Sequence, residues 1–331
     1  MRSLLIDTSI VTACVFGILV STYGFYVSMK LESNPSYRAL CDLSENFSCS
    51  KVLTSRYSKG LVFLNTEYLM VPNTVYGILV YCALILLSNF EQWAALKFQL
   101  LLAFGSFATC FYLPICILCI LKQFCVVSFT LYAIKMIIFA LVLQKYKIRR
   151  NKLKSSSCRL GGNSCDKEAF IRSKTQTMLR RVNRSIISTC IFGVLVSTYA
   201  LYVEMAVEAK PGYKAMCDFA PHASCTKVLS SPYAKGLGLV PEDSSWKLPN
   251  CLYGILFYCF YIFLSTFDDP RVVRFQQALS LVSLALCVYL AYILVFILKD
   301  FCIVCVTTYM INIFLTILFA KKYKLLCTKA K

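Results

Sequence analysis

The sequence predicts an all-α polytopic membrane protein built from two tandem four-helix transmembrane bundles, with eight spans in total. Three observations predict this fold class. Of the 331 residues, 58% are hydrophobic and only 15% are charged, whereas soluble domains are roughly a quarter charged. Eight apolar runs are long enough to cross a hydrocarbon core of about 30 Å. The first half of the pattern also recurs in the second half.

The eight apolar runs are bounded by charged or turn-forming residues. They lie at about residues 8–29, 71–89, 98–121, 124–144, 184–206, 248–266, 275–298 and 301–320. Because lipid offers no water to unpaired backbone groups, we expect helices. The first run follows Arg2 and resembles a signal peptide. It lacks a small-residue cleavage site and recurs inside the chain, so we interpret it as a span.

The recurrence defines the domain organisation. CVFGILVSTY at 14–23 returns as CIFGVLVSTY at 190–199. The residues Cys41, Cys49, Asn73 and Cys125 recur as Cys217, Cys225, Asn250 and Cys302. We predict units at residues 1–146 and 184–331, joined by a basic linker at 147–183 that we expect to be flexible. Four spans per unit make the duplication a parallel repeat.

The charge distribution indicates topology. The formal net charge is +19, from 35 Lys and Arg against 16 Asp and Glu. Such an excess can indicate nucleic-acid binding. Most of it lies in the N-terminus, the linker, the loops after spans two and six, and the C-terminal tail, as the positive-inside rule requires. We therefore predict these segments to be cytosolic and the opposite loops luminal, with membrane lipid and no nucleic acid as a partner.

A C-x-x-C pair, Cys302 and Cys305, opens the last span. At a helix N-terminus, unpaired N–H groups and the positive end of the dipole favour the thiolate. Packing of two buried cysteines as small apolar residues is the alternative. A zinc site is disfavoured, because His222 is the only histidine, and we predict no metal site.

A second pair, Cys217 and Cys225, is spaced C-x7-C in the loop after the fifth span. Counting spans puts it on the same membrane face as Cys302 and Cys305. Four thiols on one face can pass a disulfide from loop to helix through mixed disulfides. A static loop disulfide is the alternative.

Four stretches of the second unit resemble the vitamin K epoxide reductase family. They are AMCDFAPHASCTKVLSS, PNCLYG, SLVSLALCVYLAY and DFCIVCVTTYMIN, and the likeness covers each unit nearly end to end. The resemblance implies an enzyme of the endoplasmic-reticulum membrane that reduces vitamin K 2,3-epoxide, and the quinone, by dithiol oxidation. It implies four helices per unit around the quinone, capped by the luminal loop. Vitamin K is then a substrate, and no cofactor is permanently bound.

The resemblance also implies a role for each thiol of the second unit. Cys305 would attack the quinone or epoxide, and Cys302 would resolve the adduct. Cys225 would exchange with Cys302, and Cys217 would meet a luminal thioredoxin-like reductant.

Two further residues match substrate-binding positions of that family. Asn250 and Tyr309 would hydrogen-bond the quinone oxygens, where a donor stabilises developing charge. From the sequence alone, Asn250 could equally be a helix N-cap after Pro249. Tyr309 alone would more often be an interfacial anchor.

The first unit is a degenerate copy. It keeps the site residues Cys41, Cys49, Cys125, Asn73 and Tyr132. It has Ser128 at the position of Cys305, and a serine cannot form a disulfide. It also has Lys135 in mid-span where the second unit has Asn312. We therefore predict that the first unit is inactive. Its thiols could form a permanent Cys49–Cys125 disulfide, or Cys41 and Cys49 could relay electrons.

The remaining cysteines give weaker signals. Cysteines that recur within spans are expected to pack: Cys14 and Cys190, Cys82 and Cys259, Cys110 and Cys287. We expect the same of Cys116 and Cys119, and free thiols at Cys158 and Cys165. Residues 46–48 (NFS) form a glycosylation sequon on the predicted luminal side.

Two other functions fit the sequence. The same thiols could run electrons the other way, so that reduction of a quinone generates disulfides for oxidative folding. Duplicated spans are also common in transporters. The complete four-thiol set of the second unit argues against a non-catalytic scaffold or transporter.

Overall fold

The computed structural model describes residues 2–42, 44, 46–60, 72–115, 121–156, 167–210, 212–220, 222–241, 244 and 246–330. These residues form helices, with isolated β-bridges and no strand among them. The first five helices are α1 (Arg2–Ser33), α2 (Cys49–Leu53), α3 (Asn73–Ser88), α4 (Trp93–Ile115) and α5 (Val126–Ser156). The next five are α6 (Lys167–Ala209), α7 (Cys225–Leu229), α8 (Asn250–Leu264), α9 (Pro270–Tyr292) and α10 (Ile303–Ala330).

The fold is that of an all-α polytopic membrane protein, as the sequence predicts. Among the described residues, six helices are long and apolar enough to cross a membrane: α1, α4, α5, α6, α9 and α10. The predicted spans at 71–89 and 248–266 are the shorter helices α3 and α8, with 16 and 15 residues. Such a helix covers about 24 Å, less than the core thickness of roughly 30 Å.

The chain divides into two compact units, Met1–Asn163 and Ser164–Lys331. Within each unit the first helix is central: α1 packs against α3 and α5, and α6 packs against α8 and α10. In the most apolar 18-residue stretch of each of these two helices, 61% of the residues are buried. In the other four long helices the buried share of the same kind of stretch is 17% to 33%. Each unit is thus a four-helix bundle arranged around its first helix.

A buried lysine joins the first and last helices of each bundle at the predicted cytosolic end. Lys145 Nζ lies 2.7 Å from Asp7 Oδ1 in the first unit. The equivalent Lys322 donates to Asn183 Oδ1 at 2.9 Å and lies 3.4 Å from Asp268 Oδ1. A buried ammonium needs such partners, so these contacts fix how the helices meet at that end.

The linker differs from the sequence expectation. Residues 147–156 continue α5, and residues 167–183 belong to α6; residues 157–166 lie outside the described part of the chain. Lys, Arg, Gln and Glu are good helix formers, so both helices extend beyond the apolar spans. In the described part of the linker, polar composition therefore did not prevent helix formation.

Close packing of α6 on α8 requires a glycine. A Cβ added to Gly193 would lie 2.6 Å from a ring carbon of Tyr258. Tyr258 is buried, and its hydroxyl donates to Asn312 Oδ1 at 3.1 Å. The Tyr258 ring therefore cannot move aside without breaking a buried hydrogen bond.

We expect Gly193→Ala to lower the stability of the second unit by about 1–3 kcal/mol, the usual cost of overpacking. The measurement is the thermal unfolding midpoint of the full chain in nanodiscs. Gly105→Ala is the matched control, because no atom lies within 4 Å of the added Cβ. Equal midpoints for the two variants would contradict the packing argument.

Candidate active site

The second unit encloses a cavity of about 330 Å³ between its helices, within the size range of small-molecule sites. Its wall is mostly apolar, and the residues on it come from α6, α8, α9, α10 and the loop after α7. The polar or reactive wall residues include Glu204, Asn250, Cys251, Cys305, Tyr309 and Asn312. Three of the predicted site residues thus lie on one wall.

The C-x-x-C pair lies at the start of α10. Cys302 is fully buried just before the helix, and Cys305 lies in its first turn, on the cavity wall. Their sulfur atoms are 2.9 Å apart, with the Cys305 thiol as donor. The backbone N–H of Cys305 also points at Cys302 Sγ, at 3.4 Å. The structure therefore brings the pair together with one sulfur facing the cavity.

The two units differ in the acidity of the equivalent thiols. The hydrogen bond from Cys305 outweighs burial and lowers the pKa of Cys302. Burial raises the pKa of Cys125, and the hydrogen bonds from Ser128 only partly oppose it. The thiol donor on Cys305 thus favours the thiolate of Cys302, whereas Cys125 has only the Ser128 hydroxyl and backbone donors.

Cys217 and Cys225 form a disulfide, and the loop that carries it is docked against the start of α10. The backbone N–H of Phe301 donates to the carbonyl of His222 at 2.9 Å. His222 lies between the two loop cysteines, and Phe301 precedes Cys302. This contact holds the disulfide loop beside the C-x-x-C pair.

Asp218 organises the same loop. Its carboxylate accepts hydrogen bonds from the backbone N–H of Ala215 at 2.9 Å, from Thr226 N–H at 3.0 Å and from Ser224 Oγ at 2.9 Å. The Thr226 hydroxyl also donates to it. Burial alone would raise the pKa of Asp218, but these hydrogen bonds outweigh it and lower the pKa.

Asn250 connects the cavity wall to the cap loop, which we define as Pro232–Gly238. Its Nδ2 donates to the Tyr233 carbonyl at 2.8 Å, and its Oδ1 accepts from Leu237 N–H at 2.7 Å. Leu237 has a φ of +58°, a left-handed conformation that is unfavourable for a branched side chain. The side chain of Asn250 thus stabilises a strained turn. The N-cap alternative is wrong, because α8 begins at Asn250 and its N-cap is Pro249.

Tyr309 lies one turn beyond Cys305 on the cavity wall. Its hydroxyl makes no hydrogen bond to any residue that the structure describes. A phenol in that position remains able to donate to a group inside the cavity.

The first unit has a much smaller cavity of about 70 Å³, lined by residues that include Asn73, Ser128, Tyr132 and Lys135. Lys135 Nζ donates to Thr109 Oγ1 at 2.8 Å. Asn73 repeats the contact of its counterpart, donating to the Tyr57 carbonyl at 2.8 Å. A long cation therefore lines this cavity where the second unit has the shorter Asn312.

The thiols of the first unit are paired in the loop. Cys41 and Cys49 form a disulfide, and Cys125 is a free, buried thiol. The alternative Cys49–Cys125 disulfide is therefore not the pairing in this structure. Ser128, at the position of Cys305, leaves Cys125 without a second thiol on α5.

Comparison with known proteins now identifies the family. Residues 8–143 and 184–320 each match the Vitamin K epoxide reductase family. The chain belongs to the vitamin K epoxide reductase family. The two matched regions coincide with the two repeats, so this family member carries the domain twice.

Two mammalian relatives each match a stretch of this chain about as long as one unit. Vitamin K epoxide reductase complex subunit 1 of Mus musculus is 40% identical over 140 residues, which is 41% of this chain and 87% of the relative. The protein of the same name from Rattus norvegicus is 38% identical over 150 residues, 44% of this chain and 93% of the relative.

Two wall residues of this family member were not predicted from the sequence. Glu204 of α6 is buried, and it accepts a hydrogen bond from the Cys251 thiol at 3.2 Å. An acidic residue within an apolar run is itself a signal of function, and that signal could have indicated Glu204. Nothing in the sequence pairs it with Cys251.

The cysteines that recur within spans behave as packing residues, whereas Cys327 near the end of α10 is exposed. Most of those that recur within spans are buried: Cys14, Cys82, Cys190, Cys259 and Cys287. Cys110 is half-buried. Cys116, Cys119, Cys158 and Cys165 lie outside the described residues. Within the described part, no three or more Cys, His, Asp or Glu side chains cluster as a metal site would require.

We expect Asp218→Asn to loosen the disulfide loop, since an amide presents N–H donors where the loop needs acceptors. Because the pKa of Asp218 is lowered on folding, the ionised carboxylate stabilises the loop above about pH 4, and this contribution is lost as pH falls. The measurement is the rate at which dithiothreitol reduces Cys217–Cys225, which should rise in the variant. Asp42→Asn is the matched control and should speed reduction of Cys41–Cys49 only. An unchanged rate in Asp218→Asn would contradict the role of this carboxylate.

Proposed function

We propose that the second unit reduces vitamin K 2,3-epoxide and vitamin K quinone with the dithiol of Cys302 and Cys305. One observation carries the proposal: a close thiol pair has one sulfur on the wall of an apolar cavity and lies beside a docked disulfide. Family membership and the names of the two relatives support the same substrate class.

The chemistry begins with Cys305, whose sulfur faces the cavity. Cys305 first passes its proton to Cys302, to which it already donates a hydrogen bond, and the resulting Cys305 thiolate forms a carbon–sulfur bond with the quinone or epoxide. Cys302 then attacks Cys305 Sγ, so that the sulfur–sulfur bond forms and the carbon–sulfur bond breaks. The two electrons of the broken bond stay with the substrate. The epoxide oxygen leaves as water and the quinone becomes hydroquinone, each taking up two protons.

The loop pair restores the dithiol. Once reduced, Cys225 attacks Cys302 and forms a mixed disulfide, which Cys217 resolves. The resulting Cys217–Cys225 disulfide is reduced by a luminal thioredoxin-like dithiol. The exposed fractions agree with this order, since Cys302 and Cys225 are 0% exposed and Cys217 is 7% exposed. Cys217 follows Met216, which is 87% exposed, so a protein partner can approach from that side.

Asn250 and Tyr309 are the proposed substrate-binding residues. The free hydroxyl of Tyr309 donates to a quinone oxygen that gains charge during reduction. The amide of Asn250 still has one N–H after its contact with Tyr233, and it holds the cap loop over the cavity.

We propose that the first unit does not turn over substrate. Ser128 cannot form the disulfide, and Lys135 lines a cavity too small for a naphthoquinone with its side chain. The Cys41–Cys49 disulfide either relays electrons or holds its own loop in place.

We assign the protein to the endoplasmic-reticulum membrane, with both termini and the linker cytosolic and the four thiols luminal. The positive-inside distribution of Lys and Arg supports this orientation, and the oxidising lumen suits disulfide exchange.

We expect Cys305→Ala to reduce epoxide turnover at least about 100-fold, because the variant lacks both the nucleophile and the disulfide. The measurement is conversion of vitamin K epoxide by the full chain in membranes with dithiothreitol. The matched control Cys125→Ala removes the equivalent lone thiol of the first unit and should keep most of the activity. Equal losses in the two variants would show that both units take part.

We expect Cys217→Ala to trap a mixed disulfide between Cys225 and Cys302, since the resolving thiol is missing. Mass spectrometry of the alkylated, digested protein would detect the cross-link. Turnover with a thioredoxin-like protein should stop, whereas dithiothreitol should support part of it. Cys41→Ala is the control and should trap nothing. Full turnover of Cys217→Ala with the protein reductant would contradict the shuttle.

A further inference from the structure

A carboxyl group lies in the wall of the active cavity. Glu204 is on α6, is 2% exposed, and lines the cavity together with Cys305. The thiol of Cys251, in the first turn of α8, donates to Glu204 Oε2 at 3.2 Å. Cys251 lines the same cavity and is within electrostatic range of Cys305. The carboxyl, its thiol partner and Cys305 therefore line one cavity, each from a different helix.

The first unit has no such pair. The equivalent positions hold Ser28 and Thr74, and the Ser28 hydroxyl donates to the Leu53 carbonyl at 3.3 Å. The bundle can thus be built with small hydroxyl residues at these sites. An ionisable residue inside a membrane bundle is costly and usually functional. The carboxyl occurs only in the unit that has the complete dithiol.

The thiol pair holds fewer protons than the reduction of the substrate requires. The Cys305 thiol donates a hydrogen bond to Cys302 Sγ at 2.9 Å. Because the thiolate is the nucleophile, the pair reacts as one thiol and one thiolate and so holds one proton. Reduction of a quinone to hydroquinone, or of an epoxide to quinone and water, requires two protons. The second proton has to come from another group at the cavity.

We propose that Glu204, held by Cys251, supplies that second proton to the substrate oxygen. Quinone, one thiol, one thiolate and the carboxylic acid then give hydroquinone, the Cys302–Cys305 disulfide and the Glu204 carboxylate. With the epoxide, the oxygen leaves as water and the quinone is formed. When the loop dithiol reduces Cys302–Cys305, two protons are released; one returns to the thiol pair and one to Glu204. Electrons, protons and charge balance over the cycle. This inference rests on the proposed function.

The test is Glu204→Gln in the full chain in nanodiscs, with vitamin K epoxide and vitamin K quinone as substrates and dithiothreitol as reductant. The amide keeps the shape and the acceptor for Cys251 but cannot supply a proton. We expect kcat to fall about 100-fold, within the usual range for a general acid, and KM to change less than twofold. Added formic acid, a small proton donor, should restore part of the rate. Ser28→Ala, the equivalent position of the first unit, is the control and should match the wild type.

The outcomes separate the two proposals. If the wild type reduces neither substrate, the proposed function fails and this inference fails with it. If the wild type is active and Glu204→Gln has the same kcat, only the inference fails. A raised KM with unchanged kcat would show a binding role and also overturn it. Loss of activity in both Glu204→Gln and Glu204→Asp, with no rescue by formic acid and the loop disulfide intact, would show a structural role.

A second variant, Glu204→Asp, still tests the proposal if Glu204→Gln fails to fold. Glu204→Asp keeps the acid but moves it, so it should retain more activity than Glu204→Gln and shift the pH profile of kcat. A wild-type pH profile in Glu204→Asp would overturn the proposal.

Discussion

The hydrogen bond between Phe301 N–H and the His222 carbonyl determines the arrangement of the candidate site. It joins the disulfide loop to the residue before Cys302, so two thiol pairs from distant parts of the sequence become neighbours. The first unit makes the same backbone contact, from Phe124 N–H to the Asn46 carbonyl at 2.8 Å. Because main-chain groups make this contact, it persists although the side chains at 222 and 46 differ.

The comparison of the two units separates the scaffold from the chemistry. The loop disulfide, the aspartate that organises it and the asparagine below the cap loop are present twice with nearly the same hydrogen bonds. The second thiol, the large cavity and the buried carboxyl are present once. The two bundles therefore pack their helices in the same way although they differ in these few side chains.

The sequence predicted the fold class well because hydrocarbon permits few backbone arrangements, and the apolar runs report them directly. It also placed Cys305, Tyr309 and Asn250 together, through the family resemblance. It predicted spans a few residues longer than α3 and α8, because each apolar run includes the proline before the helix and one or two residues beyond the helix end. It also could not pair Glu204 with Cys251, since that contact depends on the rotation of α6 against α8.

The hydrogen bonds between Asn250 and the cap loop affect what a retained asparagine indicates in a diverged copy of the unit. The same amide fixes a left-handed turn at Leu237 and lines the cavity, so folding and substrate recognition constrain one side chain at once. Asn73 keeps the contact with the Tyr57 carbonyl in a unit whose cavity is small. This backbone contact alone explains why a diverged copy retains the asparagine, so its retention carries no information on whether the copy still turns over substrate.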